Sequence, residues 1–185
     1  QPKNEPVFSY AKGSKERELL SKELEKQYNQ CIEIPIIING KEIRTGNVSE
    51  VVMPTEHSHV LAKFHKADKE TVQKAIEAAL EARKQWENVH WIDRCSIMLR
   101  AAELLAGKYR YVINAATMLG QGKNPFQAEI DSACETIDFL RFNVHYASKI
   151  YAQQPLSDNS AINRLEYRGL EGFVYAISPF NFTSI

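Results

Sequence analysis

The feature that most constrains the fold of this chain is a continuous apolar run, Phe173–Ile177, that follows Gly172. The run has the length of a single strand and is apolar on both of its faces. Such a strand belongs in a covered and parallel sheet, where helices shield both surfaces from water. Ligands bind such sheets beyond the carboxyl ends of the strands. We therefore predict that the loop after the run, Ser178–Thr183, borders a ligand crevice.

Shorter strands are expected in the first third of the chain. Ile32–Ile38 is rich in β-branched residues and is followed by Asn39-Gly40. This pair favours a two-residue hairpin turn, because both residues tolerate positive φ angles. The remaining expected strands are Lys41–Thr45, Val48–Met53, Ser58–Phe64 and Arg164–Arg168.

Helices are expected around these strands, each with recognisable end signals. Side chains suited to N-capping are followed by amphipathic stretches, and at Asn124 a proline and a glutamine complete a capping-box pattern. Gly120-Gln-Gly122 resembles a phosphate loop, but it follows a helix rather than a strand, so we interpret it as a helix stop. The expected N-caps are Ser14, Asp68, Asp93 and Asn124, and the expected terminators are Gly107 and Gly120.

Two regions follow from this pattern. Residues 1–66 would hold an N-terminal helix and hairpin strands. Residues 67–185 would form a helical layer and the apolar strand with its loop. The predicted class is α/β. Because one such strand cannot complete a parallel sheet, we expect the chain to be incomplete, a part of a longer protein.

The composition argues against several classes of partner. Twenty-three basic residues balance 23 acidic ones, so no net field attracts nucleic acid. No apolar run approaches the roughly 20 residues of a membrane-spanning helix. Cys31, Cys95 and Cys134 form no C-x-x-C pair, which favours buried thiols in a reducing compartment. We expect neither a nucleic acid nor a membrane as partner.

Asn181 is the strongest candidate for chemistry. It stands between aromatic residues, after a buried strand and a proline that fixes the turn. A rigidly held amide at such a place can donate a hydrogen bond to a developing oxyanion. The alternative interpretation is a turn asparagine whose side chain satisfies its own backbone.

Glu135 is the second candidate. Asp131 and Asp138 share its face of the expected helix, at positions i−4 and i+3. If this cluster is partly buried, the pKa of at least one carboxyl group is raised. The alternative is a solvated acidic face.

His57 and His59 alternate as two metal ligands could, but no third ligand is evident nearby, so no metal is expected.

The sequence resembles the aldehyde dehydrogenase superfamily in several blocks that occur in the family's order. Gly172–Thr183 is similar to its signature strand and loop, in which proline, aromatic, asparagine and aromatic residues follow one another. Met118–Asn124, Gln127–Asp131 and Tyr167–Phe173 resemble the branch that oxidises glutamate γ-semialdehyde, formed by ring opening of pyrroline-5-carboxylate. Phe180 and Thr183 fit this branch, since most of the superfamily has tryptophan and proline there.

The resemblance implies roles for individual residues. Asn181 would be the oxyanion-hole amide, and Phe182 would pack on the aliphatic stem of the substrate. Glu135 would lie near the substrate channel. The residues expected to line the nicotinamide–ribose side of an NAD site are Ile177, Ser178, Pro179 and Phe180.

The resemblance also implies a whole protein. Its fold would be a doubly wound NAD-binding domain with a catalytic domain and β-strand oligomerisation elements, and this chain would be the N-terminal part. The reaction would be NAD-dependent oxidation of L-glutamate γ-semialdehyde to L-glutamate in proline catabolism. The protein would be a homodimer or higher homo-oligomer in the mitochondrial matrix.

The family's nucleophile is missing from these residues. Its Gly-Gln-x-Cys loop and its glutamate base motif do not occur, so we expect this segment alone to be inactive. Three alternatives stay open from the sequence. They are a dehydrogenase for another semialdehyde, a non-catalytic helical binding module, and a pseudo-enzyme that keeps the cofactor loop.

Overall fold

A computed structural model describes all residues, 1–185. The strands are β1 (Ile32–Ile34), β2 (Ile36–Ile38), β3 (Lys41–Ile43), β4 (Val48–Met53) and β5 (Glu56–His65). The helices are α1 (Lys15–Tyr28), α2 (Lys69–Trp86), α3 (Trp91–Ala106), α4 (Arg110–Gln121), α5 (Pro125–Ala128) and α6 (Glu135–Ala152). A π-helix, Glu129–Cys134, joins α5 to α6.

The strands form two small sheets. In the larger one, β5 lies in the middle, parallel to β1 and antiparallel to β4. The other is the expected hairpin of β2 and β3, whose turn residues Asn39 and Gly40 have φ angles of 51° and 72°. The expected single strand Ile32–Ile38 is divided between the two sheets. Pro35 separates its halves, because a proline has no N–H to continue a ladder.

Most helix ends follow the sequence signals. Ser14, Asp68 and Asn124 each accept a backbone N–H at a helix start, and the capping box at Asn124 is complete. The prediction for Asp93 is wrong: α3 begins at Trp91, so Asp93 lies in its first turn and His90 is the N-cap.

The prediction for Gly120 is also wrong. It remains inside α4, and Gly122 ends the helix with a φ angle of 66°. That angle lies in the left-handed region, which glycine adopts without steric cost.

The core is small and lies between helices. One cluster joins Tyr10, Leu20 and Ala115, where α1 packs on α4. The other joins Ala102, Ala133 and Ile137, where α3 and the π-helix meet α6. In contrast, the apolar side of the amphipathic helix α2 is largely uncovered, and Val72 on it is 48% exposed. None of the helices combines the length and apolar composition that crossing a bilayer requires.

The expected strands Arg164–Arg168 and Phe173–Ile177 do not form. Residues 153–185 contain no helix or strand, and the side chain of Ile177 is 76% exposed. The prediction of a covered strand at Phe173–Ile177 is therefore wrong for this chain. A strand needs a hydrogen-bonded neighbour, and both sheets of this molecule are built from residues 32–65.

Candidate functional site

The segment Asn181–Ser184 lies against the end of α4 and the π-helix, and Lys123 contacts both the segment and the π-helix. The Lys123 ammonium donates to the main-chain oxygen of Asn181 at 2.6 Å and to Asp131 Oδ2 at 2.7 Å. The same nitrogen lies 4.7 Å from the centroid of the Phe182 ring, within cation–π distance. One cation thus holds the backbone and one side chain of the segment.

Two further contacts attach the segment. The Gln121 amide, oriented to satisfy both groups, donates to Asn181 O and accepts from Phe182 N, each at 3.2 Å. The Ser184 hydroxyl donates to the Ser132 carbonyl at 3.0 Å and lies 2.9 Å from Thr136 Oγ1. The segment is therefore bound at both of its ends.

The π-helix supplies these contacts through its wider turn. A π-helix has i→i+5 hydrogen bonds and often occurs at functional sites. Here it directs Glu129 and Ser132 side chains into the interior, where both are completely buried. Asp131 faces outward to Lys123 and remains 25% exposed. The same short turn therefore contributes to the core and to the surface that receives the segment.

Beneath this surface lies a buried ionic cluster. Glu129 accepts hydrogen bonds from Arg110, from Tyr10 Oη at 2.6 Å and from Asn114 Nδ2 at 2.8 Å. Burial alone would raise the pKa of Glu129, but hydrogen bonds from Arg110, Tyr10 and the Phe8 backbone offset this and hold the pKa below its usual range. Glu129 is therefore an ionised and fully satisfied carboxylate.

The Glu129 carboxylate affects the pKa values of two neighbouring groups, Tyr10 and Cys134. Burial, and then the Glu129 carboxylate, raise the pKa of Tyr10 above its ordinary value. The same two causes raise the pKa of the Cys134 thiol to about 12. Cys134 is thus a protonated thiol at neutral pH and lacks the thiolate character of a nucleophile.

The N-terminal residues lie across this cluster. Glu5 accepts from Arg110 and from Arg141, both at 2.5 Å. Asp138 accepts from the Glu5 backbone N–H and from Asn4 Nδ2, each at 2.7 Å. Residues 4–10 therefore fix the beginning of α6 to α4.

An open cleft of about 390 Å³ lies beside the segment on α6. Glu135 and Asp138 lie on its wall with Phe139, Phe142 and Tyr146, and Ile185 closes one side. Of the expected acidic cluster, only Glu135 and Asp138 line this cleft, since Asp131 is paired with Lys123. Glu135 is half-buried and shares this cleft with the carboxylate of Asp138 and with the three aromatic side chains.

Asn181 and Phe182 are brought to the same surface. The Asn181 side chain is exposed and makes no hydrogen bond within the chain, whereas its carbonyl is bound by Lys123. It therefore does not satisfy its own backbone, the alternative that its position in a turn suggested. Phe182 is half-buried under Lys123.

The four residues expected at a cofactor are arranged differently. Ile177, Ser178, Pro179 and Phe180 are all exposed, and the Phe180 side chain is 97% accessible. Residues 173–180 make no hydrogen bond within the chain. They form an open ribbon and do not share the cleft lined by Glu135.

Of the two histidines considered as metal ligands, His57 is exposed and His59 has other contacts. His59 stacks on Tyr28 with centroids 4.0 Å apart, and its Nε2 lies 2.9 Å from the Tyr28 carbonyl. No group of three or more potential metal ligands is present in the structure.

Sequence reasoning did not identify Lys123, Gln121 or Ser184. Lys123 directly follows the glycine-containing helix stop Gly120–Gly122, and nothing in its spacing distinguishes it from a solvated lysine. The available signal was its place one residue before a strong N-cap, because a side chain there lies beside the free end of a helix.

Comparison with known proteins identifies the class. Residues 42–185 match the Aldehyde dehydrogenase family. The chain therefore belongs to the aldehyde dehydrogenase family, as its signature loop predicted.

More particular relatives agree with the predicted branch. The chain is 53% identical over 184 residues to the delta-1-pyrroline-5-carboxylate dehydrogenase of Agaricus bisporus, covering 98% of this chain and 34% of that protein. It is 50% identical over 182 residues to the mitochondrial enzyme of that name from Homo sapiens, covering 98% and 32%.

A solved structure is also closely similar. The delta-pyrroline-5-carboxylate dehydrogenase of Mycobacterium tuberculosis bound with NAD has a TM-score of 0.95 and 46% identity, covering 98% of this chain and 34% of that one. This chain thus spans about a third of the length of these relatives. The mixed α/β, aldehyde dehydrogenase-like fold is confirmed for that third.

Proposed function

We propose that this chain is part of an NAD-dependent dehydrogenase that oxidises L-glutamate γ-semialdehyde to L-glutamate in proline catabolism. The observation that carries the proposal is the identity of about 50% over nearly the whole chain to pyrroline-5-carboxylate dehydrogenases. Two of the motif blocks that indicated this branch, Met118–Asn124 and Gln127–Asp131, contain the residues that hold the loop bearing Asn181.

Asn181 is the residue to which we assign a chemical role. Its carboxamide makes no hydrogen bond within the chain, while its backbone is held by Lys123 and Gln121. The Asn181 N–H is therefore free to donate a hydrogen bond to a substrate, while the residue is held in place by its backbone. When a thiolate adds to the aldehyde carbon, the carbonyl oxygen gains negative charge, and the Asn181 N–H would donate to it.

The cofactor interaction is assigned to Ile177, Ser178, Pro179 and Phe180. Their unpaired main-chain groups, with the apolar side chains of Ile177, Pro179 and Phe180, suit one wall of a nicotinamide–ribose site, although the ribbon does not enclose a dinucleotide by itself. Bound NAD supplies the hydride acceptor that oxidation of an aldehyde requires. The relative from Mycobacterium tuberculosis with NAD bound supports this choice of cofactor.

Substrate contacts are assigned to Phe182 and Glu135. Phe182 presents an apolar ring beside Asn181, suited to the aliphatic stem of a small semialdehyde. Glu135 lies on the adjacent cleft with aromatic neighbours, and an amino-acid substrate carries an ammonium group that a carboxylate attracts.

The proposal also covers the roles of the two regions of the chain, the oligomeric state and the cellular compartment. Residues 1–66 would contribute strands to subunit association, and residues 67–185 would belong to the NAD-binding domain. We propose a homo-oligomer, a dimer or larger, in the mitochondrial matrix. The mitochondrial name of the human relative supports the compartment.

A chimaeric enzyme tests the role of Asn181. Residues 1–185 would replace the matching segment of the Mycobacterium tuberculosis relative, which supplies the rest of the enzyme. In this enzyme, Asn181→Ala is expected to lower kcat for glutamate semialdehyde about 100- to 1000-fold with little change in KM, the usual effect of removing one oxyanion donor. Steady-state kinetics of NADH formation measures both constants.

Asn159→Ala is the matched control, since Asn159 is also exposed and lies far along the chain from the loop. It should leave kcat unchanged. If Asn181→Ala changed kcat no more than this control, the assignment would be wrong.

Comparing kcat/KM for glutamate and succinate semialdehydes tests the substrate, and equal or reversed preference would favour a dehydrogenase for another semialdehyde.

A further inference from the structure

We infer that Lys123 is the positioning residue that orients the loop bearing Asn181, acting through the Asn181 carbonyl rather than on any substrate. The inference rests on the proposed role of Asn181. Its basis is that Lys123 makes two contacts with this loop, to the Asn181 carbonyl and to the Phe182 ring, and a third with Asp131 of the π-helix.

The contacts fix the loop in more than one direction. The ammonium donates to the Asn181 carbonyl, so it restrains the peptide plane from which the Asn181 side chain projects. Its position 4.7 Å from the Phe182 ring restrains the next residue. An ammonium has three donors, and two of them are used here on an acidic side chain and a carbonyl.

Asp131 holds Lys123 in place. The Lys123 side chain is 18% exposed and that of Asp131 is 25% exposed, so the pair is shielded more than an ordinary surface pair. Surface pairs are weak because water and ions screen them. Asp131 belongs to the π-helix, whose Ser132 carbonyl also receives Ser184 from the same loop. Lys123 and the π-helix therefore act on opposite ends of the loop.

Lys108 offers a natural comparison. It too stands near an aromatic ring, with its ammonium 4.9 Å from the Tyr109 centroid. It has no carboxylate partner and no loop carbonyl to bind. If loss of any lysine beside an aromatic ring disturbed the loop, substitutions at Lys108 and Lys123 would have the same effect on it. If Lys123 positions the loop, only the substitution at Lys123 changes the loop.

Amide hydrogen exchange and NMR of this 185-residue chain test the inference. Lys123→Met is expected to speed exchange of the Phe182 amide about tenfold, the factor that one hydrogen bond to a charged group commonly represents. It should also shift the carbonyl carbon resonance of Asn181, which loses its donor. Lys123→Arg should restore both, and Lys108→Met should change neither.

The unsubstituted chain provides a measurement that needs no folded variant. The ammonium protons of Lys123 should exchange with water more slowly than those of Lys108. Equal rates, or an unchanged Phe182 amide and Asn181 carbonyl in folded Lys123→Met, would overturn the inference.

Kinetics of the chimaeric enzyme separates this inference from the proposed function. Lys123→Met should lower kcat more than it raises KM, and Lys123→Arg should recover kcat. If Asn181→Ala were without effect while Lys123→Met loosened the loop, only the proposed function would fail. If Asn181→Ala lowered kcat and Lys123→Met changed neither loop nor kcat, only the positioning role would fail.

Discussion

At the scale of single residues, the dominant feature is a buried charge pair. The Arg110 and Glu129 side chains are at most 1% exposed, and Tyr10, Asn114 and Glu5 complete their hydrogen bonds. Removing a charge from water is costly, so such a pair is stable only when its donors and acceptors are satisfied. The pair therefore ties the N-terminal residues, α4 and the π-helix into one unit.

Glu129→Gln should test this unit. The substitution leaves the Arg110 cation with less compensation in the interior, so we expect a loss of about 3 kcal/mol in the free energy of unfolding. Urea titration followed by circular dichroism measures the change. Glu18→Gln on the exposed pair with Lys22 is the control and should leave the midpoint nearly unchanged.

The same titration at several pH values provides a second check. Because the pKa of Glu129 is lowered in the folded state, its contribution to stability is fully present above the ordinary carboxyl pKa. The contribution is lost as the pH falls through the lower, folded-state pKa. The Glu129→Gln chain should lack this part of the acid sensitivity, and an unchanged acid profile would contradict the assignment.

At the scale of elements, helix starts follow from side chains that satisfy free N–H groups. Asn124 and Gln127 exchange hydrogen bonds of 2.9 and 3.0 Å with each other's backbone. His90 caps α3 less well, with an Nδ1 to Ile92 N distance of 3.4 Å. The first start was predictable, whereas the second was hidden by the stronger capping propensity of Asp93.

Asn124→Ala should lower the free energy of unfolding by about 1 kcal/mol, the usual effect of losing an N-cap side chain. Asp93→Ala should have a smaller effect, because this residue lies in the first turn of α3 and caps nothing. Thermal unfolding of both variants measures the difference. A larger loss for Asp93→Ala would indicate that α3 begins at Asp93 after all.

Local signals explain what the sequence predicted and what it did not. The Asn39-Gly40 turn and the Asp68 cap depend on neighbours close in sequence. The π-helix and the Lys123 contacts depend on residues up to 58 positions apart, such as Lys123 and Asn181. Periodicity carries no information about such pairs, so Asn181 was found by its motif while the residue that holds it was not.

At the scale of the whole molecule, regular secondary structure is unevenly distributed along the chain. Residues 1–152 contain every helix and strand, whereas 153–185 contain neither and are attached through Tyr167, which contacts Ile150 and Tyr151, and through the segment Asn181–Ser184. The strand expected at Phe173–Ile177 depended on parallel neighbours, and strand propensity alone cannot replace them. This is why the sequence predicted the helical layer better than the sheet.

Limited proteolysis should reveal this division. Trypsin is expected to cut first after Arg164 and Arg168, whose side chains are 76% and 81% exposed and whose backbone is outside regular structure. Mass spectrometry of early fragments identifies the sites. Lys149, within α6, is the internal control and should be cut later. Equal early cleavage at Lys149 would contradict the division.

The π-helix also restricts how the chain can vary in length. Its turn already holds one residue more than an α-helical turn, and one further residue inserted between Lys123 and Glu135 would turn everything that follows by about 100° about the helix axis, since an α-helix has 3.6 residues per turn. Ile137 would rotate out of its core cluster, and Asp138 would leave the Asn4 and Glu5 groups that it binds. Spacing in this stretch is thus as strictly specified as residue identity, whereas the ribbon beyond α6 can tolerate insertions without disturbing the core.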